Sequence, residues 1–253
     1  MSPDRRTRPA SRSAPARGRL GRRRLLLAAA ALAAGGSARA QPATVDLALV
    51  LAADCSGSVR EQQYLLQQQG TADAFRYPAI VEAILGGANA AIAVAHFHWS
   101  GPTRQHLAVP WTALRSPADI ASFADRIEAA PRRIWGGGTA PGGAIEHGRA
   151  LLEAMPFRSS RWIIDVSGDG RTNAGPPSAG ARDAAVARGI TINGLPILHV
   201  EPDIDDYYEH NVIGGPGAFL VPARDFVDFA DAMRRKLIRE LAADRPPRPV
   251  DSA

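Results

Sequence analysis

The residues best equipped for chemistry are Asp54, Ser56 and Ser58, which alternate within the pentapeptide Asp54-Cys55-Ser56-Gly57-Ser58. One carboxylate and two hydroxyls on a single tight turn make an all-oxygen donor set, suited to a hard divalent cation such as Mg²⁺. The turn follows an apolar run, 45–53, and precedes a helical pattern, so backbone N–H groups at a helix start add partial positive charge there. By themselves these five residues serve equally well as an Asp/Ser-rich helix cap. Two further polar loops stand in comparable places: Trp135-Gly136-Gly137-Gly138-Thr139, and Gly168-Asp169-Gly170 after the apolar run 161–167. If the strands ending near 53 and 167 are neighbours, the first and third loops lie side by side. Asp54, Ser56, Ser58, Thr139 and Asp169 then surround one point with three hydroxyls and two carboxylates, leaving one coordination position vacant. Hydroxyl ligands neutralise little of an ion's charge, so the ion is expected to take an outside anion, such as an Asp or Glu carboxylate of a protein partner. This is a logic of binding rather than of reaction.

The elements that must position these loops alternate in type. Nearly unbroken apolar runs at 44–53, 91–99, 161–167 and 190–198 read as strands buried on both faces. The run 105–109 after Ser100-Gly101-Pro102 reads as a hairpin partner, and 218–221 as a last short strand. Helical patterns cover 58–75, 79–85, 118–130, 141–155, 178–188 and 225–242. Ser58 with Glu61 suggests a capping box for the first, and Ser116-Pro117 an N-cap and first residue for the third. Gly70 reads as a weak point inside the first helix, and the acidic span 199–217 as irregular. The expectation is an α/β fold: an open, mostly parallel, doubly wound sheet with helices on both faces and one antiparallel edge hairpin. Ligands of such sheets bind at the carboxyl ends of the strands.

At 253 residues, 45% hydrophobic and 6% aromatic, the chain suffices for one domain with a sizeable aliphatic core. Its net charge of +5 is unevenly spread, because residues 1–40 carry ten Arg and one acid, +9, which leaves −4 for residues 41–253. The basic balance therefore belongs to one segment, and nucleic acid is not an expected partner. Arg22-Arg23-Arg24, the apolar run 25–34 and Ala38-Arg39-Ala40 read as a signal peptide over residues 1–40, with a twin-arginine character in Arg22-Arg23-x-Leu25-Leu26. The expected organisation is that signal, a domain over 41–243 and a disordered Pro-rich tail over 244–253, in a bacterial protein that is periplasmic or secreted. No stretch of the exported part reads as a membrane span. Cys55, the one cysteine, cannot form an intramolecular disulfide and reads as a small buried thiol.

Enzymatic readings find less support. A phosphoaspartate nucleophile at Asp54 would need a second carboxylate where Ser56 stands, and a lysine near the phosphate. The sole lysine, Lys236, lies in the closing helix. There is no Gly-Lys-Ser/Thr loop, and neither Ser56 nor Ser167 sits in a G-x-S-x-G elbow. A metal-dependent hydrolase using the same pocket, and a structural domain with a vestigial site, stand as the alternatives. His96 and His98 share one strand face with His106 on the hairpin mate, a conceivable zinc site that is more often a set of half-buried polar residues. Asp165, inside an apolar strand, needs a partner if buried, an Arg or a backbone amide.

Asp54-x-Ser56-x-Ser58, Gly138-Thr139 and Ser167-Gly168-Asp169-Gly170 resemble, in order and spacing, the metal-ion-dependent adhesion site (MIDAS) of the von Willebrand factor A domain. The resemblance covers residues 44–243. It departs from the pattern at Gly168, where many relatives have Ser or Thr. The resemblance implies direct metal ligation by Ser56, Ser58 and Thr139, and water-mediated roles for Asp54 and Asp169. It implies Mg²⁺, or Mn²⁺ or Ca²⁺, as the ion and an adhesion-type, non-enzymatic function. The stretch Asn211-Val212-Ile213-Gly214-Gly215-Pro216-Gly217 resembles the bacterial DUF1194 branch of that family.

Overall fold

The structure, a computed structural model, describes residues 42–242; the expected signal peptide and Pro-rich tail lie outside the described residues. Five strands, β1 (Leu47–Asp54), β2 (Ile92–Trp99), β3 (Gln105–Leu114), β4 (Trp162–Gly168) and β5 (Ile190–Pro196), form one sheet in the order β3-β2-β1-β4-β5. β1 pairs in parallel with both β2 and β4, β4 in parallel with β5, and β3 antiparallel with β2 at the edge. Every residue of β1 and β2 is buried, which is why their sequences are apolar without alternation. β3 is only partly covered and shifts register along its length, as an edge strand containing Pro110 must.

Helices cover both faces. Leu47, Leu49 and Leu51 point to a core shared with α1 (Glu61–Arg76), α2 (Pro78–Leu85), α3 (Pro117–Glu128) and α7 (Phe229–Ala242). Ala48, Val50 and Ala52 point to the opposite core, shared with α4 (Pro141–Glu153), α5 (Ser178–Val186) and α6 (Ile204–Asn211). Each fully buried Leu, Ile, Val or Phe contributes about 1.5–3 kcal/mol to this packing. As the spacing predicts, α3 opens on Ser116, whose Oγ accepts from Asp119 N at 3.1 Å, with Pro117 at the first position.

Four local expectations are corrected. α1 begins at Glu61, not Ser58; its cap is Arg60, whose N–H donates to Gln63 Oε1 at 2.6 Å, and Glu61 forms no capping box. Ser58 stands outside the helix, its hydroxyl turned to Asp169, to which it donates. Gly70 is a point of close approach rather than a weak one: a Cβ there would stand 3.0 Å from Ala230 Cα and Phe229 Cδ1 on α7. The acidic span 199–217 contains α6, whose Ile204 and Tyr208, with Val212 just beyond, form a buried i, i+4, i+8 stripe. Residues 218–221 make only the isolated bridge Gly194–Leu220, not a strand.

Candidate metal centre

The order of the strands creates the site. From β1 the chain moves to β2 on one side and later returns to β4 on the other, so the crevice at the carboxyl ends lies between β1 and β4. Ala53 pairs with Ser167, which sets Asp54 beside the Gly168-Asp169 turn. The Ser58 hydroxyl donates to Asp169 Oδ1 at 2.7 Å, and Ser56 Oγ lies 3.2 Å from Ser58 Oγ. Asp54 Oδ1 accepts from Ser56 N at 2.6 Å, closing the turn on itself. The glycine-rich loop fits between the other two. Gly136 and Gly137 adopt φ of 64° and 102°, a region that a side chain would strain. A Cβ on Gly57 would meet Gly137 O at 3.4 Å, and one on Gly138 would meet Ala174 Cβ at 2.5 Å. Thr139 N donates to Asn173 Oδ1 at 2.7 Å, and Asn173 N donates to Thr139 O at 3.0 Å. Ser58, Thr139 and Asp169 therefore line one cleft of about 190 Å³, with Asn173, Val200 and Glu201. Ser56 and Asp54 lie behind it, fully buried.

The five residues fit a cation on three counts. The two serine oxygens stand close to the separation of adjacent ligands around an octahedral ion, roughly 3.0 Å for bonds of about 2.1 Å. Ser58 gives its proton to Asp169, so the Ser56 hydroxyl is the donor between the two serines and Ser58 keeps a lone pair for an ion. Asp54 Oδ2 and Asp169 Oδ2 are buried without any hydrogen-bond donor. Burial, and then the neighbouring Asp169 charge, push the Asp54 carboxyl up to about 7 against the hydrogen bond from Ser56. Burial likewise raises Asp169, opposed by the Ser58 hydroxyl. A cation placed beside two such buried carboxyls would favour their ionised forms. The chemistry of such a group, once bound, is to hold an anionic oxygen at its open position.

Several residues that complete the site carry no motif. Arg132, whose side chain is 4% exposed, donates to Val59 O at 2.7 Å and Ile134 O at 2.9 Å, tying the 54–59 turn to the segment leading into the glycine loop. Asn173 holds the Thr139 backbone from the third loop. Gly168 has its own reason. A Cβ there would lie 2.8 Å from both Asp54 Oδ2 and the Tyr208 hydroxyl, so the phenol on α6 occupies the room that Ser or Thr would need. Cys55 is buried, its thiol pushed up first by burial, which makes it unreactive.

The histidines form no second centre. His96 and His98 are buried edge-to-face at 5.0 Å, His106 stands 6.3 Å from His98, and His96 Nε2 pairs with Gln68 Oε1 at 3.2 Å. Burial lowers His96 to about 4 and holds His98 well below its ordinary value. Among the described residues, no group of three or more His, Cys, Asp or Glu is disposed to hold a metal; the candidate site depends on hydroxyls. Asp165 has neither Arg nor backbone amide as its partner but Lys236, the lysine of the closing helix.

Comparison with known proteins agrees with this architecture. Residues 44–245 match the family described as a protein of unknown function, DUF1194. No curated protein matches the chain. Among solved structures, proximal thread matrix protein 1 from the mussel byssus, in a form with a zinc-occupied MIDAS motif, superposes with a TM-score of 0.54. The two are 17% identical over 80% of this chain and 49% of that one, so the chain spans about half the length of the mussel protein. The von Willebrand factor domain of the type V pili tip protein Mfa5 from Porphyromonas gingivalis gives 0.56, at 13% identity over 80% of this chain and 98% of that one. A von Willebrand factor type A protein from Catenulispora acidiphila gives 0.51, at 16% identity over 78% of this chain and 43% of that one. At these identities the likeness is one of fold, and one neighbour with that fold carries a divalent cation. The chain belongs to the DUF1194 family, and its fold is that of a von Willebrand factor A domain.

Proposed function

We propose that this protein is an exported, divalent-cation-dependent protein-binding module of the adhesion type, without enzymatic activity. Ser56, Ser58 and Thr139 bind Mg²⁺ or Mn²⁺ directly, Asp54 and Asp169 support it through water, and an acidic side chain of a partner protein completes the coordination. The observation that carries this reading is the gathering of Ser56, Ser58 and Thr139 around two buried carboxyls, each with one oxygen, Oδ2, that accepts no hydrogen bond. Charge at the rim supports an acidic partner: exposed Arg104 reaches the glycine loop, its Nη1 3.1 Å from where a Gly137 Cβ would be, and makes no ion pair among the described residues. Exposed Trp135, stacked 4.6 Å from the Arg132 guanidinium, offers apolar contact nearby. The zinc-occupied MIDAS motif of the mussel matrix protein lends support to a divalent-cation site on this fold. A periplasmic or secreted location follows from the signal-like residues 1–40. Among the described residues, no helix is long and apolar enough to cross a membrane.

The test is capture from a cell-envelope extract of the source organism on the immobilised protein. The reading expects a partner retained in Mg²⁺, released by EDTA and absent from an Asp54→Ala column. Capture that is equal with and without EDTA contradicts it, as does metal-dependent hydrolysis of phosphoesters that Asp54→Ala abolishes.

A further inference from the structure

The loop after β5 brings a third carboxylate to the mouth of the cleft. Glu201 lines the same cleft as Ser58, Thr139 and Asp169, but from the solvent side, its side chain 29% exposed. It is held there by Arg171, two residues beyond Asp169: Arg171 N donates to Glu201 Oε1 at 3.2 Å, and Arg171 Nε pairs with Glu201 Oε2. Asp203 Oδ1 accepts from Arg171 Nη2 at 3.0 Å, so the guanidinium serves two acids. A Cβ on Gly170 would stand 3.6 Å from Glu201 Oε1 and 3.7 Å from Thr139 Oγ1, so the glycine leaves that gap open. Glu201 thus shares the cleft with a site whose hydroxyl ligands would neutralise little of a cation's charge, and a side-chain rotation would redirect its carboxylate.

We propose that Glu201 is a movable internal ligand for the cation. It competes for the coordination position that an outside acid would take, and Arg171 sets the balance by holding its carboxylate off the ion. The inference rests on the cation-binding reading above and deepens it. Specificity follows: a partner must displace this chain's own carboxylate, so a single weakly placed acid binds poorly. A second carboxylate on the partner that drew Arg171 away would release Glu201 onto the ion, so an acid without such a neighbour binds better.

The probe is Mn²⁺ alone, with the waters on the bound ion counted by proton relaxation. Charge at a distance would by itself raise Mn²⁺ affinity in Arg171→Ala and lower it in Glu201→Gln, so affinity does not decide the matter. The water count does. Arg171→Ala is expected to lose at least one metal-bound water relative to wild type, and adding Glu201→Gln to that variant restores the wild-type count. A count unchanged in Arg171→Ala, or not restored in the double variant, overturns the proposal. Failure of the wild type to bind Mn²⁺ at all would instead overturn the cation reading. Arg171 is 45% exposed and on the surface, and metal-free melting curves of the variants serve as the folding control.

Discussion

A Lys236→Met chain is expected to be about 3–5 kcal/mol less stable than the wild type, read as a lower urea midpoint with an unchanged slope. Lys236 is fully buried beneath α7, against Asp165 of β4 and 2.5 Å from Glu240 Oε1, which also accepts from Asn193 Nδ2 at 2.8 Å. Burial alone would lower the ammonium's pKa, but the two carboxylates outweigh it and keep the lysine charged. Asp165 is raised, first by burial and then by the Glu240 charge, so the two acids lean on the ammonium between them. Removing the ammonium leaves Asp165 and Glu240 buried side by side without their shared cation, with Asn193 as the remaining amide donor to Glu240. Breaking such a pair from one side costs more than replacing all of it, so matched apolar residues at 165, 236 and 240 together are expected to recover much of the loss. A change below about 1 kcal/mol for Lys236→Met would show that the cluster relaxes or admits water. Cation affinity of the folded variant should not change, since no member of the cluster reaches the metal cleft.

Mn²⁺ affinity is expected to fall about tenfold between pH 8 and pH 6, as one carboxyl titrating near 7 demands. Asp54 takes up a proton at about 7 in the metal-free fold, so below that pH the cation must expel the proton before it binds. Asp54→Asn should flatten this slope and weaken binding by about 10–100-fold, the range found when a supporting partner of metal ligands is lost. Metal-free melting temperature is a poorer readout, because opposing groups titrate in the same window. A carboxyl raised by folding stabilises the fold below the ordinary carboxylate range and loses that contribution as pH rises through 7. The buried neutral His96 and His98 do the reverse, losing theirs as pH falls through the ordinary histidine value near 6.5. Binding separates Asp54 from the histidines, since neither histidine lines the cleft. An affinity equal at pH 6 and pH 8 would show that no carboxyl of the site takes up a proton near 7.

Much of this was legible before any coordinates, for definite reasons. β1, β2 and β4 are buried on both faces, so their apolar runs announced a parallel sheet covered by helices. Asp54, Ser56, Ser58, Thr139 and Asp169 sit where strands end or helices begin, and the resemblance to an adhesion site grouped them; the pairing of β1 with β4 sets the first and third of these loops side by side. What escaped depends on contacts between distant segments. The same hydroxyl that caps a helix also receives a cation, so Ser58 was ambiguous until Asp169 was seen to hold it. Arg132 acts on backbone carbonyls 73 residues away, which leaves no trace in spacing. Gly168 departs from the family pattern because Tyr208, forty residues later, fills the space. The Tyr208 helix itself carried a readable signal, the stripe Ile204, Tyr208, Val212, obscured by the acids around it. Asp165 needed a cation, and only the packing of α7 against β4 shows that Lys236 supplies it.

The most direct test is anomalous diffraction from crystals of the protein grown with Mn²⁺. A single strong peak bonded to the side-chain oxygens of Ser56, Ser58 and Thr139, with Asp54 and Asp169 bridged through water, is the predicted result. A map without a peak among these three loops, or with its peak elsewhere in the molecule, would contradict it.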